Sequence, residues 1–185
     1  MVIIHSEEVK SNFEGTIIDI ETIGEFCNYR DSRHYQNIIP VIFGYIDKNG
    51  LKIHCARRTE SIEKLKNMIV TRILPQLRKP LYAFNCDFEK GALFHNCGST
   101  IVFDGELNAK KYEKKKDVVA SLGIENYDDP FYDDGKKCKQ ALEEGDTKLS
   151  IRHNRSCLLK ERDILLKRGH RTPDELVLYP INKKF

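Results

Sequence analysis

Two carboxylates inside a strand otherwise built for burial constrain this chain more than any other feature. Thr16 to Ile20 reads TIIDI, a β-branched run of the kind that fills a buried strand, and it continues as ETIG, so that Asp19 and Glu21 follow at a spacing of two. That spacing puts both side chains on one face, where buried anions repel and lose hydration unless a cation stands between them. A divalent metal is the simplest such cation, because Mg2+ and Mn2+ take hard oxygen donors and commonly use one or two carboxylates. The tripeptide D-x-E alone says little, since it recurs at Asp87 and Glu89 and at Asp104 and Glu106. Its apolar setting is what singles out the first copy.

VIFGYI and LKIHCA read as two further strands joined at Asp47, Asn49 and Gly50, which makes a three-strand meander. The intervening stretch Asn28 to Asn37, with Arg30, Arg33, His34 and Tyr35, is longer than a hairpin loop needs to be. Thr59 or Ser61 caps a helix whose apolar positions Ile62, Leu65, Met68, Ile69, Ile73 and Leu74 run to Pro75. LYAF is a fourth strand leading into a short helix with Phe88, Ala92 and Leu93, and Gly98 to Phe103 reads as a fifth strand. From Lys110 the pattern turns helical through KKYEKKKDVVASLG, with Lys114 to Lys116 read as a solvated face. A helix near Lys137 to Glu144 then stops at Gly145, and Asp146 caps a long central helix, about Thr147 to Arg168. LVLYPI in the tail is either an edge strand or loose. The expected architecture is α/β: one domain over residues 1–185, a mixed central sheet flanked by helices over 15–168, and a tail over 169–185.

Composition excludes some classes. A chain of 185 residues, 40% of them hydrophobic, can bury a core without disulfides or a structural metal. Its longest nearly apolar stretch, Ile38 to Ile46, is broken by Pro40 and Gly44 and falls far short of the ~20 residues of a membrane span. The opening MVIIHSEEVK lacks the cationic and apolar regions of a secretory signal, and six cysteines without a C-x-x-C pair read as reduced thiols, so a cytoplasmic protein is expected. A net charge of +3 does not by itself indicate a nucleic-acid partner.

The second D-x-E lies in YAFNCDFEKGAL, where Asn85, Phe88 and Glu89 form an N-x-x-F-E pattern after a strand. With Asp19, Glu21 and Thr22 as D-x-E-T, the chain resembles the DEDD superfamily of 3'-5' exonucleases. That superfamily has the ribonuclease H-like fold, a D-x-E-T first motif and an H-N-x-x-F-D second motif. Phe84 stands in place of the second motif's His and Glu89 in place of its Asp, while Asp87 falls out of register as a rival ligand. GDTKLSIRHNRSCLLKERDILL resembles the third motif, in which a metal-binding Asp follows His by four or five residues. Here Cys157 and Leu158 hold those positions, and Glu161 lies one further turn along.

The resemblance implies two-metal hydrolysis with Mg2+ or Mn2+ at the 3' end of single-stranded DNA or RNA. Asp19, Glu21 and Glu89 would be ligands, Glu161 a substitute ligand, and His153 a general base near the attacking water. Cys157 in place of the Asp implies a weakened first metal site, with Mn2+ preference or no activity. The alternative is a catalytically impaired relative that binds nucleic acid or a protein partner through the same cleft. Thr22, Asn85, Phe88, Arg30, Arg33, Tyr35, Arg152 and Arg155 are the expected nucleic-acid contacts, with Lys160 beside them. His153 and Cys157, at i and i+4, are also a zinc-type pair, though the common role of a lone helical cysteine is as a small buried hydrophobe.

Overall fold

The computed structural model describes residues 1–180. Six strands form one mixed sheet in the order β1-β4-β3-β2-β5-β6: β1 (Val2–Glu7), β2 (Thr16–Ile23), β3 (Ile39–Asp47), β4 (Gly50–Ala56), β5 (Leu81–Ala83) and β6 (Gly105–Glu106). β2, β3 and β4 are the expected antiparallel meander, and β5 and β6 add in parallel beyond β2. The helices are α1 (Ile62–Met68), α2 (Cys86–Cys97), α3 (Lys115–Ser121), α4 (Gly135–Glu143) and α5 (Thr147–Arg168).

Both faces of the meander are covered, which is why β2 reads as an almost unbroken apolar run. Ile18 and Ile20 point to one face and pack with Leu65 and Ile69 of the α1 region and with Ala92 and Leu93 of α2. Ile17 points to the other and packs with Leu158, Leu159 and Ile164 of α5. By strand alternation Asp19 and Glu21 share the face of Ile17, so they look toward α5. Gly44 of β3, directly opposite Asp19 in the ladder, permits α5 to lie this close: a Cβ there would stand 2.0 Å from Asn154 Oδ1.

Several expectations are corrected. The opening residues form an edge strand, β1, paired antiparallel with β4, so the meander is preceded by a strand. The strand expected at Gly98 to Phe103 forms instead at Gly105–Glu106; Ile101 and Phe103 bury their side chains without joining the ladder. No helix starts at Lys110, because Tyr112 takes a positive φ of 66° and Glu113 turns back to accept the Ala109 N–H. The helix from Ile62 loosens into a π-helical turn at Ile69–Ile73 before Pro75 ends it. Asp146 caps α5, accepting the Leu149 N–H. The tail bridges Glu106 through Arg171 and then lies along the Ser32 turn, where the Ser32 N–H donates to the Val177 carbonyl. Of the tail segment LVLYPI, Ile181 lies outside the described residues. No described helix is long and apolar enough to cross a membrane, and all six cysteines are free thiols.

Candidate functional site

A cleft of about 620 Å3 opens where β2 and β5 end, at the crevice beyond the carboxyl ends of parallel strands where α/β sheets commonly place their sites. β2 slips register against β3 between Glu21 and Thr22, a bulge that re-aims the strand at the cleft. Asp19, Glu21 and Thr22 from β2, Asn85, Phe88 and Glu89 from the start of α2, and His153 and Cys157 from α5 all line it. Three segments far apart in sequence therefore converge on one cleft.

The cluster has two sides. On one, Asp19 and Glu89 are buried, and Glu89 Oε2 has no hydrogen-bond partner among the described residues. Burial, with the Asp19 and Glu161 carboxylates nearby, holds the Glu89 carboxyl well above the usual range. Lys115, the first residue of α3, supplies the local cation: its Nζ lies 3.1 Å from Asp19 Oδ1 and also pairs with Glu161. Burial works against that ammonium, but Asp19, Cys157 and Glu161 outweigh it and raise its pKa. Glu161 is fully buried and does not line the cleft, but it stands directly beside Asp19 as well as Lys115: burial and the Asp19 carboxylate hold its carboxyl well above the usual range, against the pull of Lys115. The solvated-face reading of Lys115 is thus corrected.

On the other side stand Glu21, His153 and Cys157. His153 Nε2 lies 3.8 Å from Glu21 Oε1 and 3.7 Å from Cys157 Sγ. The far ring nitrogen, Nδ1, is 2.7 Å from Asp129 Oδ1, and Asp129 is in turn held by Lys160 at 2.8 Å. Lys160 is fully buried and also bonds Asp133 at 2.9 Å and Asn126 at 3.2 Å. It cannot track a phosphate backbone. Burial opposes a charge on His153, yet Cys157, Glu21 and Asp129 together push its pKa up to about 12. Burial drives the Glu21 carboxyl up to about 7, aided by Asp19 and opposed chiefly by His153, and it drives the Cys157 thiol up to about 11. Asn154 bridges the sides, its Nδ2 donating to Asp19 Oδ2 at 2.7 Å and to Glu21 Oε1 at 3.4 Å.

The outer contacts divide. Phe26 is exposed at the cleft wall, stacked on His34 at 4.7 Å and near Phe88 at 6.3 Å, and Lys136 and Lys139 also line the cleft, Lys139 paired with Glu25. Tyr35 packs edge-on against Phe88 and fills the space over Gly91, where a Cβ would meet its ring at 2.1 Å. Arg33 is committed to Asp31 and to the faces of Tyr29 and Tyr179, and Arg30 is exposed outside the cleft lining. Arg152 and Arg155 do not line the cleft: Arg152 bonds the Asp128 carbonyl and Arg155 pairs with Glu7 at the β1 edge. Asp87 turns away to Lys111, and Glu106 takes up the Cys86 N–H at the start of α2 and pairs with Arg171.

Sequence reasoning does not single out Lys115, Asn154 or Asp129 as site residues, and it gives Lys160 a different role. Asn154 sits beside His153 in the H-N pair that marks the third motif; the other three carry no local signal of what they do. No family model matches the chain, and neither curated proteins nor solved structures give a match.

Proposed function

We propose that the chain has the ribonuclease H-like fold and is a cytoplasmic, metal-dependent 3'-5' exonuclease-like phosphodiesterase acting on single-stranded DNA or RNA ends. The carrying observation is the convergence of Asp19, Glu21 and Glu89 on the floor of one cleft, from the end of the meander's first strand and the helix after β5. Strand order supports the fold reading: a meander followed by parallel strands, with D-x-E-T on the meander's first strand and N-x-x-F-E after the next parallel one.

The donors on the Asp19 side fit a hard cation. Glu89 Oε2 is buried and unpartnered beside Asp19, as expected of a ligand oxygen facing Mg2+ or Mn2+. Such a cation, when bound, supplies charge stabilisation to an in-line phosphodiester displacement. The protein's own groups do the rest. Lys115 brings a positive charge to the cleft, where it favours a phosphate oxygen; Phe26 and Phe88 offer faces on which bases can stack; Lys136 lines the path of the backbone.

A second reading is a catalytically impaired relative that binds nucleic acid or a protein partner in this cleft. It is favoured by Cys157, which lines the cleft where a carboxylate is expected while Glu161 is buried outside the cleft lining. Degradation of 5'-labelled single-stranded DNA and RNA with Mg2+ or Mn2+ decides between them. Stepwise 3' shortening, lost in Asp19→Ala and Glu89→Ala, supports the enzyme. Salt-sensitive binding of the same strands with no shortening supports the impaired relative.

A further inference from the structure

We propose that Glu21, His153 and Cys157 form a zinc site, distinct in chemistry from the hard-cation position at Asp19 and Glu89. Their ligand atoms, one carboxylate oxygen, one imidazole nitrogen and one thiol sulfur, all lie within 4.8 Å of one another. Zinc bonds to nitrogen, oxygen and sulfur at their usual lengths put tetrahedral ligand–ligand edges at about 3.4–3.6 Å. The observed 3.7 Å from His153 Nε2 to Cys157 Sγ and 3.8 Å to Glu21 Oε1 need only side-chain adjustment to reach that geometry. A thiol has no place among Mg2+ ligands, whereas mixed N, O and S donors suit zinc.

The second, independent observation is the support behind His153. Metal-ligating histidines almost always give their other ring nitrogen to a carboxylate or carbonyl, which fixes the ring and raises its basicity. His153 does so through Nδ1 to Asp129 at 2.7 Å, leaving Nε2 to face Cys157 and Glu21. Asp129 is itself fixed by Lys160 and by the backbone N–H groups of Phe131 and Asp133. A buried cysteine serving only as packing needs no such brace on its neighbour.

All three donor residues line the cleft, so an ion they held would have its remaining position on the cleft side. Three protein ligands with one open position is the arrangement of reactive rather than purely structural zinc. Held there, the ion would supply Lewis acidity toward an incoming phosphate oxygen. Zinc takes cysteine as the thiolate, so its binding would displace the thiol proton and uptake would release acid. Zinc here does not depend on nuclease activity: the donors are in place whether the cleft cuts a strand or only holds it.

Metal-free full-length protein loaded with Zn2+ and passed through a desalting column gives the metal content directly, and Co2+ loading reports the donor atoms. The expected result is one retained zinc per chain and a thiolate-to-cobalt charge-transfer band. Cys157→Ser abolishes the band and His153→Gln abolishes retention, while both persist in Glu89→Ala; far-ultraviolet circular dichroism verifies that each variant is folded. Absence of zinc retention by the wild type overturns the proposal. So does a charge-transfer band that survives in folded Cys157→Ser, since the thiolate would then be another cysteine. Because the readout is spectroscopic, a zinc-binding protein with no nuclease activity would leave this site standing and remove only the nuclease reading.

Discussion

The two sides of the cleft hold the same kind of burden, buried charge, in opposite ways. Around Asp19 the anions are hard carboxylates and the fold brings in its own cation, Lys115, from α3. Around Glu21 the partners are an imidazole and a thiol, and the cationic support stands one layer back, with Lys160 bracing Asp129 and Asp129 bracing His153. The first arrangement neutralises charge within the site; the second leaves the donor atoms facing one another and fixes their orientation from behind. A site that supplies its own counterion can be folded without metal, whereas one with a braced, self-facing donor set gains most when an ion enters.

Removing the brace should produce the largest effect. Lys160→Met strands Asp129 and Asp133 without their cation in a fully buried position, and breaking such a pair costs about 3–5 kcal/mol. The urea midpoint should fall with little change in slope. A variant as stable as the wild type would mean that the network does not hold this side together.

Lys115→Met tests the other side. Its ammonium is less deeply buried, so losing charge-assisted bonds to Asp19 and Glu161 should cost about 1.5–3 kcal/mol. The metal response is the diagnostic. Mn2+ or Mg2+ should raise the melting temperature of this variant more than that of the wild type, because a divalent ion can then take the place of the lysine between the carboxylates. An equal response in both proteins breaks the comparison, since Lys115 would not be acting as the resident counterion.

Gly44→Ala strikes both sides through Asn154. The added Cβ would sit 2.0 Å from Asn154 Oδ1 and 2.9 Å from a Leu158 methyl, so α5 must shift away from β2. Overpacking of this kind costs about 1–3 kcal/mol. Because Asn154 donates to both Asp19 and Glu21, zinc retention should weaken along with stability. A loss of stability with unchanged retention would show that Asn154 links the two sides only in space.

Legibility in the sequence divides along the same line. Asp19 and Glu21 can be read because alternation fixes their face, and Glu89 because it opens a helix directly after a strand. The bounds of α5, Thr147 to Arg168, can be read because Gly145, Asp146 and Gly169 punctuate it. β1 escapes notice because six residues of a half-exposed edge strand carry little pattern until β4 is there to pair with them. Asp129, Lys160 and Lys115 are illegible for a different reason. A buried ion pair is written in two distant places, here 31 residues apart for Asp129 and Lys160. Each partner alone looks like a solvated charge. Arg152 and Arg155 lie outside the cleft lining for the opposite reason: closeness to His153 in sequence suggests closeness in space, but a helix turns neighbours onto different faces.

The smallest expected effect comes from a buried polar group that belongs to neither side. His54 of β4 is 7% exposed and neither ring nitrogen has a partner among the described residues, in contrast to His153 with its carboxylate brace. Burial, with a smaller contribution from Lys52, lowers the His54 pKa, so the folded state binds its proton less readily than the unfolded chain does. By linkage, the stability tied to neutral His54 is fully present above the unfolded value of about 6.5 and is lost as pH falls through the lower folded value. Thermal midpoints of the wild type and His54→Leu, compared at about pH 7.5 and about pH 5, isolate this contribution from the titration of other groups. The wild type should lose more on acidification than the variant, by a few degrees at most. Equal losses would mean that His54 finds a partner on protonation, and that a lone buried imidazole in this fold is less different from the braced one than its surroundings imply.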